Sequence, residues 1–139
     1  MRPLLFVLVA LTAAVLGGCT QSTTSKDSSG KFRGDQRLVA NAIEDFQSAA
    51  SKGDQGKVCR DQLAQSLRAR LSRGPGGCLA TVDAALKDAD TFDLTVQSVR
   101  ITDGRATARV QEDTGDRTRT VTLGLVKEGP GWKLAQLGA

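Results

Sequence analysis

Histidine and tyrosine are both missing from this 139-residue chain, and tryptophan and methionine occur once each. Without histidine, the side chain that titrates near neutral pH is gone, and with it the usual base of a serine or cysteine nucleophile. Ser66, Ser72 and Ser98 therefore have no imidazole partner, and acid–base work would fall to Asp, Glu or Lys. Metal ligands are equally scarce: two isolated cysteines with no histidine do not make a zinc site. Asp88-Ala89-Asp90 starts like a calcium loop, but its sixth position is not glycine and Val99 holds the twelfth. Gly74-Pro75-Gly76-Gly77 lacks the Lys-Ser/Thr ending of a phosphate loop. No metal, no cofactor and no catalytic residue is expected. Aromatic residues make up 4% of the chain and acids are interspersed with the bases, so a net charge of +4 does not make nucleic acid an expected partner. No apolar run after residue 16 approaches the ~20 residues that span a bilayer.

What is present begins with Met1-Arg2, one positive charge, followed by an almost wholly apolar run from Pro3 to Leu16. Charge, then a short apolar core, then small residues is the physical form of an export signal. The run closes on Leu16-Gly17-Gly18-Cys19, which resembles the lipobox of bacterial lipoproteins: a branched apolar residue, two small ones and a cysteine. The resemblance implies a signal peptide over 1–18, cleavage before Cys19, and a diacylglyceryl group on its thiol. A thiolate is the good sulfur nucleophile for that transfer. Two or three acyl chains at ~0.8 kcal/mol per buried methylene then hold the protein on the membrane. The expected location is extracytoplasmic, lipid-anchored to the cell membrane.

Residues 19–34 follow as a tether rich in Ser, Thr, Gly and Lys, too poor in apolar side chains to offset its ordering entropy. Lys26, Lys31, Arg33 and Arg37 give it a basic bias that suits anionic lipid, although a solvated linker is the plainer reading. Residues 35–139 form the expected single domain. Val39, Ala42, Ile43, Phe46, Ala49 and Ala50 recur at spacings of three and four, which predicts an amphipathic helix from Gln36 to Ser51 with Asp35 as its N-cap and Gly53 as its stop. Asp54 can cap a second helical segment holding Val58 and Cys59, continued by Leu63, Leu67 and Leu71 at four-residue spacing. A third carries Cys78, Leu79, Val82 and Leu86, and Asp88-Ala89-Asp90 reads as a loop. With Cys19 lipidated, Cys59 and Cys78 remain as a pair in an oxidising compartment, which predicts a disulfide between them.

After Thr91 the period changes to two. Phe92, Leu94 and Val96 alternate, then Val99 and Ile101 take the other parity, so a bulge is expected near Gln97-Ser98. Asp103-Gly104 is a hairpin signal. Ala106, Ala108 and Val110 share one face of the next strand, Glu112 to Asp116 reads as a polar turn, and Val121, Leu123 and Leu125 face inward on a strand over 117–127. Gly129-Pro130-Gly131 turns into a last strand with Trp132, Leu134 and Leu137.

Helices followed by a four-stranded antiparallel meander define an α+β class, with a curved sheet wrapped over the first helix. The helix ending in Ser51-Lys52-Gly53-Asp54, the Cys59 and Cys78 pair, the Asp103-to-Thr107 hairpin and the closing Gly131-Trp132-Lys133-Leu134 resemble small exported lipoproteins of the nuclear transport factor 2 (NTF2)-like superfamily. That resemblance implies a cone-shaped domain with a concave face that can be a pocket. The isomerases of this superfamily use an Asp base with Tyr and a protonated acid, and the missing tyrosine puts such chemistry in doubt here. By strand parity Arg117 and Arg119 stand on the inward side at the rim, where they can meet an anionic group; a strand that begins late would turn them outward. With Phe46 and Trp132 they are the candidate ligand-binding residues. The expected function is non-enzymatic, binding a small apolar or anionic ligand or another envelope protein. The alternative is a degenerate isomerase- or dehydratase-like pocket enzyme.

Overall fold

The structure, a computed structural model, describes residues 28–87 and 93–138. The expected signal peptide, Cys19, the tether as far as residue 27, the 88–90 loop and Phe92 lie outside the described residues. No helix among the described residues is long and apolar enough to cross a membrane.

Helix α1 spans Gly34–Ser51 and buries Val39, Ala40, Ile43, Phe46, Ala49 and Ala50. Full burial of side chains such as Val39 and Ile43 is worth about 1.5–3 kcal/mol each. Arg33 rather than Asp35 holds the N-cap position, and Asp35 lies inside the first turn, where its charge suits the helix dipole. After the turn at Gly53, Asp54 Oδ1 accepts the Lys57 N–H at 2.8 Å and starts α2, Gln55–Lys57. A wide π-type turn over Val58–Gln62 continues it. α3 is Gln65–Leu71 and α4 is Gly77–Leu86. The continuous helix expected through Leu63 is broken: Leu63 is extended, pairs with Leu134, and the following Ala64 N–H donates to Leu134 O at 2.7 Å. The four-residue leucine spacing persists because Leu63 and Leu67 are both buried, one from a strand-like segment and one from a helix.

The sheet is an antiparallel meander in the order β1 (Asp93–Thr102), β2 (Arg105–Asp113), β3 (Thr118–Glu128), β4 (Gly131–Gln136). The register shifts between Val96 and Ser98, the bulge expected there, so Leu94, Val96 and Val99 are all buried on one face. Asp103 and Gly104 both take positive φ, as a two-residue hairpin turn requires. Ala106, Ala108, Val110, Leu123, Leu125, Trp132 and Leu134 complete the buried face, while Leu137 lies past the end of β4 and is exposed.

The sheet is open, and other elements cover its two edges. On β1, Gln47 Oε1 accepts the Leu94 N–H at 3.2 Å, Ser28 Oγ accepts the Val96 N–H at 3.1 Å, and Gln36 Nε2 donates to Val99 O at 2.9 Å. On β4, the Leu63–Ala64 bridge is joined by Arg70, whose Nη2 donates to Ala135 O at 2.8 Å. Unpaired edges invite association with other strands, and these contacts engage several of the edge groups within the chain. The β1 contacts also alter one expected boundary. Ser28 and Ser29 are buried, and both backbone N–H groups donate to Glu44 Oε1 at 2.8 Å. A short 3-10 turn over Ser29–Lys31 leads into α1. The packed structure thus starts at least as early as Ser28, seven residues before the expected start, because a carboxylate on α1 supplies acceptors that composition cannot reveal.

Cys59 and Cys78 form the expected disulfide, with Cα atoms 6.2 Å apart. It ties the π-type turn to the first turn of α4 and thereby fixes α4 against the core.

Candidate functional site

α4 is held against the domain by that disulfide and by Gln55 Nε2, which donates to Asp83 Oδ1 at 2.6 Å. Its far end carries Ala85 and Leu86 toward α1 and the inner face of the sheet. There, Phe46 from α1, Leu94 from β1, and Val121 and Leu123 from β3 line a pocket of about 290 Å³. Leu137 and Gly138 border it on the β4 side. Among the described residues, its charged groups are Glu112 and Arg119, with Thr114 beside them.

Glu112 follows Ala106, Ala108 and Val110 on the inward parity of β2, paired with Leu94 on one side and Arg119 on the other. Its side chain keeps only 12% of its surface exposed, against 68% for Arg119. Arg119 Nε donates to Glu112 Oε2 at 2.6 Å. That hydrogen bond and the carboxylate's charge raise the guanidinium pKa above its ordinary value, so Arg119 is a fixed cation. Its Nη groups make no hydrogen bond or ion pair among the described residues. The site is an apolar hollow with a cation at its rim, oriented by a nearly buried acid.

Two of the four candidate ligand-binding residues meet here, Phe46 and Arg119. Arg117 does not join them. A turn links Thr114 to Arg117, with Thr114 N–H donating to Arg117 O at 2.9 Å. β3 begins one residue later at Thr118, and the exposed Arg117 side chain lies 3.8 Å from Asp116 Oδ2. Trp132 is buried on β4 outside the pocket lining, with Lys127 Nζ 5.9 Å from its ring centroid. Its Nε1 has no acceptor among the described residues.

Glu112 is the residue that sequence reading placed elsewhere, in a polar turn. The signal was in the strand period: 106, 108, 110 and 112 share one parity, and β2 continues to Asp113. Among the described residues, no three of Cys, Asp or Glu come together in a group that could hold a metal ion.

Helices laid over one face of a four-stranded antiparallel meander, with a pocket between them, make this the NTF2-like α+β cone fold. A variant of a designed NTF2-like protein, Rd1NTF2_05, matches it with a TM-score of 0.50 at 21% identity, over 69% of this chain and 90% of that one. At that identity the likeness is one of fold. No protein-family model matches the sequence, and no curated protein matches it.

Proposed function

We propose that this protein is an exported lipoprotein, anchored through Cys19 on the outer side of the cell membrane, whose cone binds a small, mainly apolar ligand bearing an anionic group. The observation that carries the reading is the pocket of about 290 Å³, with an apolar lining and Arg119 at its rim. Ligand sites combine this kind of lining with a few placed polar groups that fix orientation. At ~30 Å³ per water-sized group, the volume suits a ligand of about ten non-hydrogen atoms. A cone filled by Phe46, Leu94, Val121 and Trp132 would have favoured a protein-interaction module. Here Trp132 packs outside the lining and the space is open.

One observation favours the alternative, an isomerase- or dehydratase-like enzyme: Glu112 is an acid set deep against apolar walls. Against it, one oxygen of that acid is engaged by Arg119, and the chain has no tyrosine or histidine to share proton transfer.

Native mass spectrometry of the full chain, produced in an exporting bacterial host and extracted in mild detergent, tests the reading. The expected result is a mature chain beginning at Cys19 with its lipid, carrying a small acidic molecule that dissociates on activation. A chain with an intact N-terminus and no bound molecule would overturn it.

A further inference from the structure

The outer face of the sheet carries a cluster of cations that the pocket does not use. Arg100 of β1 stands opposite Thr107 of β2, and Arg105 and Arg109 flank Thr107 on the same face. Diagonal neighbours of this kind lie ~7–8 Å apart, so the three arginines share one patch of the outer face. All three are exposed, and none makes an ion pair or side-chain hydrogen bond among the described residues. Their cross-strand neighbours are neutral: Ser98 and Thr122 beside Arg109, Thr102 and Val126 beside Arg105, and Gly124 beside Thr107. Three acids of this face stand at strand ends and are engaged elsewhere: Asp93 by Gln47, Asp113 by Thr118, and Glu128 by the Gln65 N–H. Asp103 lies in the β1–β2 turn at one end of the patch. On the helical side, Arg60 pairs with Asp61 and Arg70 donates to Ala135 O.

We propose that this face docks the domain on an anionic phospholipid surface, the same membrane that holds Cys19; the inference rests on the anchoring half of the proposed function and not on the pocket. Like charges gathered on one strand pair repel one another unless an outside anion compensates them, and guanidinium matches phosphate oxygens bidentately. Among the described residues, the face holds no aromatic side chain on which a nucleic-acid base could stack.

The entry point of the chain supplies the second argument. Ser28 is fixed to Val96 at the outer edge of β1, the strand that bears Arg100. It lies nine positions after Cys19, a reach of at most ~30 Å. Exposed Lys31, Arg33 and Arg37 follow at that edge, where Gln36 joins α1 to Val99. A domain held so close by its β1 edge can lay the outer face of the sheet on the headgroups. At anionic surfaces each arginine favours contact about fivefold, which compounds to about a hundredfold for three.

The test is an arginine footprint of the full chain in vesicles. The protein is reconstituted into pure phosphatidylcholine, and separately with about one third phosphatidylglycerol, then treated with phenylglyoxal and read by peptide mass spectrometry. Modification of Arg100, Arg105 and Arg109 is expected to slow by at least about tenfold in the anionic vesicles. Arg60 and Arg73 should keep their rates, and about 1 M salt should abolish the difference. The double variant Arg100→Gln/Arg109→Gln should lose the protection of Arg105. Equal rates in the two vesicles, equal slowing at Arg60 and Arg73, or the same protection from inorganic phosphate in neutral vesicles would overturn the proposal. The mass of the N-terminal peptide reports lipidation of Cys19 separately, so failure of the anchor and failure of the face are told apart.

Discussion

Arg119 and Glu112 are in-register partners on adjacent strands, and the 2.6 Å contact between Nε and Oε2 joins an exposed cation to an acid that is nearly buried. The pairing is asymmetric in use. Glu112 spends one oxygen on orienting the guanidinium, while the Nη groups stay available at the pocket rim. Because one partner is well exposed, the pair contributes little to stability; its value is placement.

This gives a first prediction, using octanoate as a probe of about ten non-hydrogen atoms. Arg119→Gln should weaken octanoate binding by about tenfold or more, the usual loss for a charge-assisted hydrogen bond, and leave binding of octanol unchanged. Glu112→Gln should tighten octanoate binding, because it removes a competing anion. Calorimetric titration of the three proteins with both ligands decides it; equal losses for acid and alcohol would mean that Arg119 does not meet the anionic group.

The disulfide closes a loop with a sequence separation of 19 residues. In the chain-entropy model a bridge of that span is worth ~3 kcal/mol. The double variant Cys59→Ser/Cys78→Ser should lose about that much in urea unfolding. It should also loosen α4, so hydrogen exchange at Val82 and Leu86 should accelerate more than exchange at Val110. Uniform acceleration across the domain would show that α4 is held by packing rather than by the bridge.

These elements differ in how far they could be read ahead. The Cys59–Cys78 bond was legible because three cysteines leave few pairings, and the bulge at Gln97-Ser98 and the inward rows of β2 and β3 because each is a local pattern, a parity slip and an alternation. Leu63 was misread because burial at four-residue spacing is satisfied equally by a helix and by an extended segment lying on β4. Half of the pocket's charge pair was legible from parity, namely Arg119. Glu112 was read into a turn because it is polar, although the alternation continues through it. Ser28 could not be reached at all, since its partners Glu44 and Val96 lie 16 and 68 residues away.

That last contact gives the third prediction. Glu44 Oε1 accepts two backbone N–H groups, from Ser28 and Ser29, and hydrogen bonds to a charged acceptor are worth ~1.5–3 kcal/mol each at best. Glu44 is half-buried, so Glu44→Ala should cost about 1–3 kcal/mol in all. Proteolysis N-terminal to Gly34 should become faster, and the Val96 amide should exchange faster as Ser28 detaches. Unchanged cleavage would place the Ser28–Lys31 turn outside the stable domain.

The fourth prediction separates backbone strain from collision at the start of α4. Gly76 and Gly77 both have left-handed φ, +76° and +70°. An alanine in that conformation costs roughly 1–2 kcal/mol at either site. The two differ in their surroundings: a Cβ on Gly76 would stand 2.5 Å from the Ala80 Cβ, whereas a Cβ on Gly77 meets nothing within 4 Å. Neither contacting carbon is the end of a flexible chain, so relief requires the backbone to move, and overpacking of this sort adds ~1–3 kcal/mol. Gly76→Ala should therefore be the more destabilising by at least about 1 kcal/mol in urea midpoints measured at equal slope. The loss should be larger with the disulfide intact than in the Cys59→Ser/Cys78→Ser background, because the bridge at Cys78 prevents α4 from sliding away. Equal losses for the two alanines would mean that α4 begins with a different turn, and that its hold on the pocket wall at Ala85 and Leu86 arises elsewhere.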